Sequence, residues 1–273
     1  MTSVAAVLVT RNAERWLPPL LASIADQSRR ADRLVVVDDG STDGTLALLD
    51  GFGATVLRST ATAADAVTRI AHNFVQGVRA CDDAELVVLG DHDDVWHPGR
   101  IAHQAGVMEV WAEALMIASD GTLVDADGRP TGGTLRSRFP VTGEWDALSP
   151  AERMRTALRT SVATGGASMI RPGAFPDLAV PAGWLHDRWW SLVATGRNGM
   201  LVDRQAVIDY RVQPDQQLGL DRGAQARGGM ARLATLAARG RTSVRKAQDL
   251  RSRLRPLVDD PAVAEVITLR SVL

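Results

Sequence analysis

The sequence predicts an α/β fold: a doubly wound, mostly parallel sheet flanked by helices, followed by a helical C-terminal tail. Three observations carry this. Short apolar runs at 5–10, 33–39, 54–57 and 85–90 alternate with longer stretches of helical periodicity, the order expected of successive βαβ units. At their centres three of the runs are continuously apolar (AAVLV, LVVV, LVVL) rather than alternating, as strands covered on both faces require. The last run stops abruptly in Asp91-His92-Asp93-Asp94, three carboxylates in four residues, at the end of a strand where open α/β sheets hold their ligands.

Each element has its own signal. Residues 5–10 (AAVLVT) are a strand that leads into Thr10-Arg11-Asn12, after which Trp16, Leu17, Leu20, Leu21 and Ile24 recur at helical spacing. Residues 33–39 (RLVVVDD) repeat the strand pattern and end in the pair Asp38 and Asp39, before a turn and helix cap at 40–44. A third strand at 54–57 and a helix at 63–80 precede the acidic strand. The loops at 10–12, 38–41 and 91–94 then share one edge of the sheet. Asp38 or Asp39 can accept from a base N–H or a ribose hydroxyl, or Asp39 can simply cap the helix that begins near Thr42.

Asp91, Asp93 and Asp94 repel one another unless the crevice takes a hard divalent cation, for which Mg2+ or Mn2+ bridging a diphosphate is the natural choice. The alternative is a solvated acidic turn, with Asp94 near the N-cap and Pro98 close to the first turn of the next helix. Trp96 is expected to pack beneath this loop. No G-x-G-x-x-G follows the first strand and no G-x-x-x-x-G-K-[ST] loop occurs, which excludes a nicotinamide-binding Rossmann domain and a P-loop.

Composition sets the frame. The chain of 273 residues is 45% hydrophobic, enough core for one large domain or one and a half. Its net charge of -1 hides an asymmetry, since residues 1–221 sum to -8 and residues 222–273 to +7. That places a boundary near Asp221, between a body divided into 1–99 and 100–221 and a basic extension at 222–273. Cys81 is the single cysteine, no run approaches the ~20 apolar residues of a membrane span, and the first ten residues lack a basic start. The expected location is cytoplasmic.

Taken together, VLVTRN, VVVDDGSTDGT and LGDHDDVWHPGRI resemble the start of a family 2 glycosyltransferase of the GT-A fold, in its rhamnosyltransferase-like branch. Asn73-Phe74, Thr164-Gly165-Gly166, His186-Asp187-Arg188-Trp189-Trp190 and the stretch from Tyr210 to Gly219 continue the likeness, so it spans roughly residues 3–220. The resemblance implies an inverting transfer from a dTDP- or UDP-sugar, rhamnose first, to an acceptor hydroxyl, with Mn2+ or Mg2+ as cofactor. It assigns Asp187 as general base, Asp91 and Asp93 to ribose and metal, and Asp39 to the nucleobase. Thr10, Arg11, Asn12, Asp38 and Asn73 would complete the nucleotide site. Asp94, Gly165, Gly166, His186, Trp189, Arg211 and Gln213 would face sugar or acceptor. Gln213 departs from the family, which usually has histidine there, so no metal role is carried to it.

Read on their own, several of these residues have plainer uses. Asp187 at the start of a helix is an ordinary N-terminal acid. Gly165-Gly166 lets backbone approach a ligand, or makes a tight turn. His186 is a metal ligand, a sugar contact or a packed residue. Of Trp184, Trp189 and Trp190, one is expected to meet the substrate. In the tail Ala247, Leu250, Leu254 and Leu257 form an apolar stripe among arginines, suited to packing on the body, to a second copy in a homodimer, or to an anionic membrane at its inner face. Nucleic acid is excluded because neither stacking aromatics nor a recognition motif accompanies the arginines. The alternative function is an inactive nucleotide-sugar-binding protein that works through this tail.

Overall fold

The computed structural model describes residues 2–141, 144–212 and 244–267. A parallel block forms first. β1 (Val4–Thr10) lies between β2 (Arg33–Asp38) and β4 (Leu86–Asp91), and β3 (Thr55–Arg58) flanks β2. Thr10 stands opposite Asp38, and Val9 opposite Asp91, so the acidic ends of β2 and β4 flank the end of β1.

The apolar runs are continuous because both faces are covered. Val7, Val9, Val35, Val37, Val87 and Leu89 pack with Phe74 and Val78 of α3 (Ala66–Arg79), whereas Ala6, Leu8, Val36, Leu86 and Val88 pack with α1 (Leu17–Ala25) and residues of the helix after the acidic loop. The short α2 (Thr45–Phe52) lies between β2 and β3.

The second half of the sheet is mixed. β5 (Val95–Trp96) follows the acidic loop, then α4 (Arg100–Val110), β6 (Met116–Val124) and β7 (Pro130–Thr134), a hairpin partner of β6. α5 (Leu135–Arg138) and α6 (Pro150–Arg159) lead to β8 (Ser168–Ile170), which joins β4 to β6 antiparallel to both. α7 (His186–Gly196) precedes β9 (Met200–Arg211), which runs parallel to β6 and antiparallel to β5. The parallel order foreseen for the first four strands is present, and antiparallel pairing enters once β8 is inserted, beside a parallel β6–β9 pair.

The tail segment packs onto this body. Helix α8 (244–249) runs on as a π turn at Leu250–Leu254 and a 3-10 turn at Arg255–Leu257, and α9 (Pro261–Val266) follows, with Asp260 accepting from Ala262 N at 2.8 Å as its cap. Ala247, Leu250 and Leu254 are buried, and Leu250, Leu254, Val263 and Ile267 join the core formed by α6 and α7. Trp184 Nε1 donates to Asp249 at 3.0 Å and its ring lies 4.8 Å from the Lys246 ammonium. The stripe is thus spent on packing, which leaves Arg251 and Arg255 outside. No described helix is long and apolar enough to cross a membrane.

Candidate active site

The acidic loop is partly to fully buried rather than freely solvated. Asp93 and Asp94 are buried and Asp91 is partly so. Asp94 Oδ1 accepts from Arg211 N at 3.3 Å, while Asp94 Oδ2 is buried without a hydrogen-bond partner. Gly166 closes the crevice from the other side. A Cβ there would overlap Asp94 Oδ2 and lie 3.0 Å from Asp91 Oδ2, so only glycine lets this backbone approach two carboxylates. Burial, then the charges of Asp93 and Asp187, push the Asp91 carboxyl up to about 7. Burial, then Asp93 and Asp91, raise Asp94 as well.

This loop is not the solvated turn of the alternative reading. α4 is preceded by Gly99 with no side-chain cap, so Asp94 does not cap it. Trp96 lies beneath the loop as expected, 2% exposed. Among the described residues no three His, Cys, Asp or Glu side chains stand together at metal-binding geometry. The donors present are nevertheless hard carboxylate oxygens, one of them orphaned and buried, and that chemistry fits Mg2+ or Mn2+.

At the end of β2 the two carboxylates part company. Asp38 is buried and held in its own loop: Thr10 Oγ1 donates to it at 3.2 Å, Ser41 Oγ at 2.5 Å, and the backbone N–H groups of Gly40 and Ser41 at 3.1 and 3.0 Å. It is a turn-builder, held by its own loop. Asp39 does not cap a helix, because α2 starts only at Thr45 and Asp43 accepts from Thr45 N at 3.1 Å. Instead Arg69 Nε donates to Asp39 at 2.8 Å and Arg11 at 3.3 Å. Burial pushes the Asp39 carboxyl up, but Arg69, Asn73 and Arg11 more than offset this and hold it below the usual range.

Asn12 occupies a left-handed conformation, φ 49°, and its Oδ1 accepts from Thr42 N at 2.9 Å, tying the first loop to the second. Asn73 is fully buried and accepts from Ser59 Oγ at 2.6 Å. Arg69 was missed by sequence reading, since nothing marks it in the pattern of α3.

α7 brings the second half to the same crevice. Asp187 Oδ2 accepts from Gly165 N at 2.9 Å and Oδ1 from Arg188 N at 2.6 Å. Burial raises its pKa, with those hydrogen bonds and the Arg188 charge opposing. Arg188 is itself spent on the carbonyls of Ala157, Leu158 and Thr160. Asp91, Asp93, Asp94 and Asp187 therefore interact electrostatically around Gly165-Gly166, although up to 96 residues separate them in sequence.

Three expected sugar contacts are otherwise engaged. Trp189 is 3% exposed and meets Trp184 edge to face, and Trp184 and Trp190 are buried too, so none of these three indoles presents a face to a sugar. Arg211 donates to the carbonyls of Asp93, Asp125 and Ala126 at 2.9, 3.2 and 2.9 Å, a clamp on the acidic loop. His186 is 3% exposed, stacked on Phe74 at 3.7 Å, with both ring nitrogens unpartnered and Nε2 against Gly165. It is a packed residue. Gln213 lies outside the described residues.

Burial lowers the His186 pKa to about 3, and this has a measurable sign. Below pH ~6.5 the unfolded histidine takes up a proton that the folded one refuses until near pH 3, so stability falls as pH drops through 6.5, by up to about 1.4 kcal/mol per pH unit. His186→Phe is expected to flatten the melting temperature against pH between 6.5 and 4, whatever its absolute stability. An unchanged slope would place the acid sensitivity elsewhere.

Comparison with known proteins identifies the family and the fold. The profile described as glycosyl transferase family 2 matches residues 5–178. TarS 1–349 of S. aureus in complex with UDP-GlcNAc superposes with a TM-score of 0.60 at 14% identity, covering 98% of this chain and 72% of that one. The same protein in complex with UDP gives 0.59 at 14%, covering 99% and 89%. Glucosyl-3-phosphoglycerate synthase from Mycobacterium tuberculosis, in complex with Mn2+, UDP-glucose and phosphoglyceric acid, gives 0.54 at 17%, covering 78% and 73%. In two further superpositions the chain spans 60% of TarS 1–349 and 37% of a longer TarS chain. Among curated proteins nothing matches. The profile covers well over half of the sequence, including all four parallel strands, the acidic loop and the Gly165-Gly166 turn, and the chain therefore belongs to glycosyl transferase family 2.

Proposed function

We propose that the protein is a metal-dependent, inverting glycosyltransferase that moves a sugar from a UDP- or dTDP-sugar, with rhamnose the first candidate, to an acceptor hydroxyl. The observation that carries this reading is the convergence of Asp91, Asp93, Asp94 and Asp187 on the Gly165-Gly166 turn. The donor class is supported by UDP and UDP-GlcNAc in TarS, and the cation by Mn2+ beside UDP-glucose in glucosyl-3-phosphoglycerate synthase.

Residues 1–99 would bind the nucleotide and 100–221 the acceptor, and of the extension at 222–273 the described residues 244–267 buttress the core beside α6 and α7. Asp39 accepts from the nucleobase or ribose, and Arg11 and Arg69 hold it ionised. Asp91 and Asp93 would hold Mn2+ or Mg2+, which neutralises charge on the leaving diphosphate. Asp187 takes the proton of the attacking hydroxyl, oriented for that task by Gly165 N and Arg188 N. Its raised pKa brings it nearer to working pH, where a base is most effective.

Thermal unfolding with a panel of nucleotide sugars tests the donor assignment. A UDP- or dTDP-sugar should raise the melting temperature only when Mn2+ or Mg2+ is present, by mass action on the folded state. Stabilisation by every nucleotide sugar alike, or equally in EDTA, would count against it.

The tail supports a further expectation. Because Ala247, Leu250 and Leu254 of its apolar stripe are buried, a membrane contact by the described tail residues would be mainly electrostatic, through arginines such as Arg251 and Arg255 worth about 1 kcal/mol each. Co-sedimentation with anionic liposomes should decline as salt rises and be absent with neutral lipid. Recovery in the supernatant under every condition would leave the tail as a packing element only.

A further inference from the structure

Arg100, the first residue of α4, is 1% exposed directly behind the acidic loop. Its Nη2 donates to Leu89 O at 2.5 Å, two residues before Asp91, and more loosely to Ser168 O at 3.4 Å, two residues after Gly166. Its Nε reaches Gln104 Oε1 at 3.4 Å, its guanidinium carbon stands 4.1 Å from the Trp96 ring centroid, and Nη1 is buried with no partner. Among the described residues no carboxylate bonds it directly. A buried cation so thinly hydrogen-bonded is costly to keep, and packing alone would be served as well by a methionine. What it gains is the field of the carboxylates in front of it.

We infer that Arg100 is a positioning residue: a counter-charge built into the fold behind the acidic loop, which answers the charge of Asp91 and Asp94 before any cation arrives and sets how tightly one binds. This rests on the reading that the loop takes a divalent cation. Its two anchors are the strand end that carries Asp91 and the strand start that follows Gly166, so it ties both walls of the crevice from behind. Asp94 and Asp91 are the carboxylates whose field reaches the buried guanidinium, and the orphaned Nη1 of Arg100 and Oδ2 of Asp94 are both shut away from water. The guanidinium stays charged at neutral pH.

Two cations that answer to the same carboxylates must oppose each other's binding. The consequence has a sign that a merely structural arginine would not produce. Arg100→Gln keeps a donor for Leu89 O and removes the charge, so the variant should be less stable without metal yet bind Mn2+ more tightly. Free Mn2+ followed by its electron paramagnetic resonance signal should give a Kd lower by about threefold to tenfold at low salt. Mn2+ should also raise the melting temperature of Arg100→Gln more than that of the wild type. Arg100→Lys, which keeps the charge and loses the fork, should bind Mn2+ at pH 7 like the wild type.

Other outcomes are equally decisive. Equal or weaker Mn2+ binding by Arg100→Gln overturns the proposal, as does an Arg100→Lys variant that binds as tightly as Arg100→Gln. A glutamine variant that folds only with Mn2+ supports it, and one that stays unfolded even with Mn2+ counts against it. Silence to Mn2+ in the wild type and both variants removes the metal reading itself and the proposal with it, a result distinct from an equal response in all three.

Discussion

Asp187→Asn is expected to slow transfer by roughly 10²- to 10⁴-fold while donor binding stays near normal, the usual contribution of one well-placed base. The substitution is close to isosteric. Its one carbonyl oxygen can still accept from Gly165 N or Arg188 N, the bonds that now hold the carboxylate at 2.9 and 2.6 Å, so the turn should keep its shape. What asparagine lacks is a basic site for the acceptor proton. Steady-state kinetics with a nucleotide-sugar donor, read beside a binding isotherm for the nucleoside diphosphate, separates the two effects. Turnover within a few-fold of the wild type would reduce Asp187 to an N-terminal acid of α7.

Asp93→Ala carries the second large effect. Removing it should abolish the metal-dependent part of UDP or dTDP binding, because the cation would lose a direct carboxylate ligand. The fold should survive, since repulsion within the loop falls and the Asp93 carbonyl that receives Arg211 Nε is backbone and stays in place. Titration of the nucleotide with Mn2+, compared with EDTA, reads the loss. Undiminished Mn2+-dependent affinity in the variant would move the metal site elsewhere.

The parallel half of the fold was legible because its physics is local. Strands buried on both faces must be apolar through their central positions, and 5–9, 34–37 and 86–89 are, so β1, β2 and β4 could be read off directly. β5 and β7 could not. One has two residues, the other reads Pro-Thr-Gly-Gly-Thr, and each is a strand only because β9 or β6 lies alongside. The acidic loop and Asp187 were legible as residue types in a telling place.

What sequence could not supply was commitment. Asp38 and Asp39 are adjacent and chemically identical, yet loop hydrogen bonds engage the first and Arg69, thirty residues on, pairs with the second. Trp189 looked available to a sugar because burial is a long-range property, set by Trp184 and the core around it. Arg100 was invisible for the opposite reason, since a charged residue at the start of a helix reads as solvated until strands β4 and β8 are seen to close over it.

The most direct test of the central claim, that one acidic crevice holds a metal-bound donor and its base, is release of nucleoside diphosphate from a UDP- or dTDP-sugar by the purified protein. Release that needs Mn2+ or Mg2+, stops in EDTA and falls by orders of magnitude in Asp187→Asn is the predicted result. Release that proceeds unchanged in EDTA, or no release from any such donor although the protein binds it, would contradict the claim, the latter in favour of a nucleotide-sugar-binding protein without transfer activity.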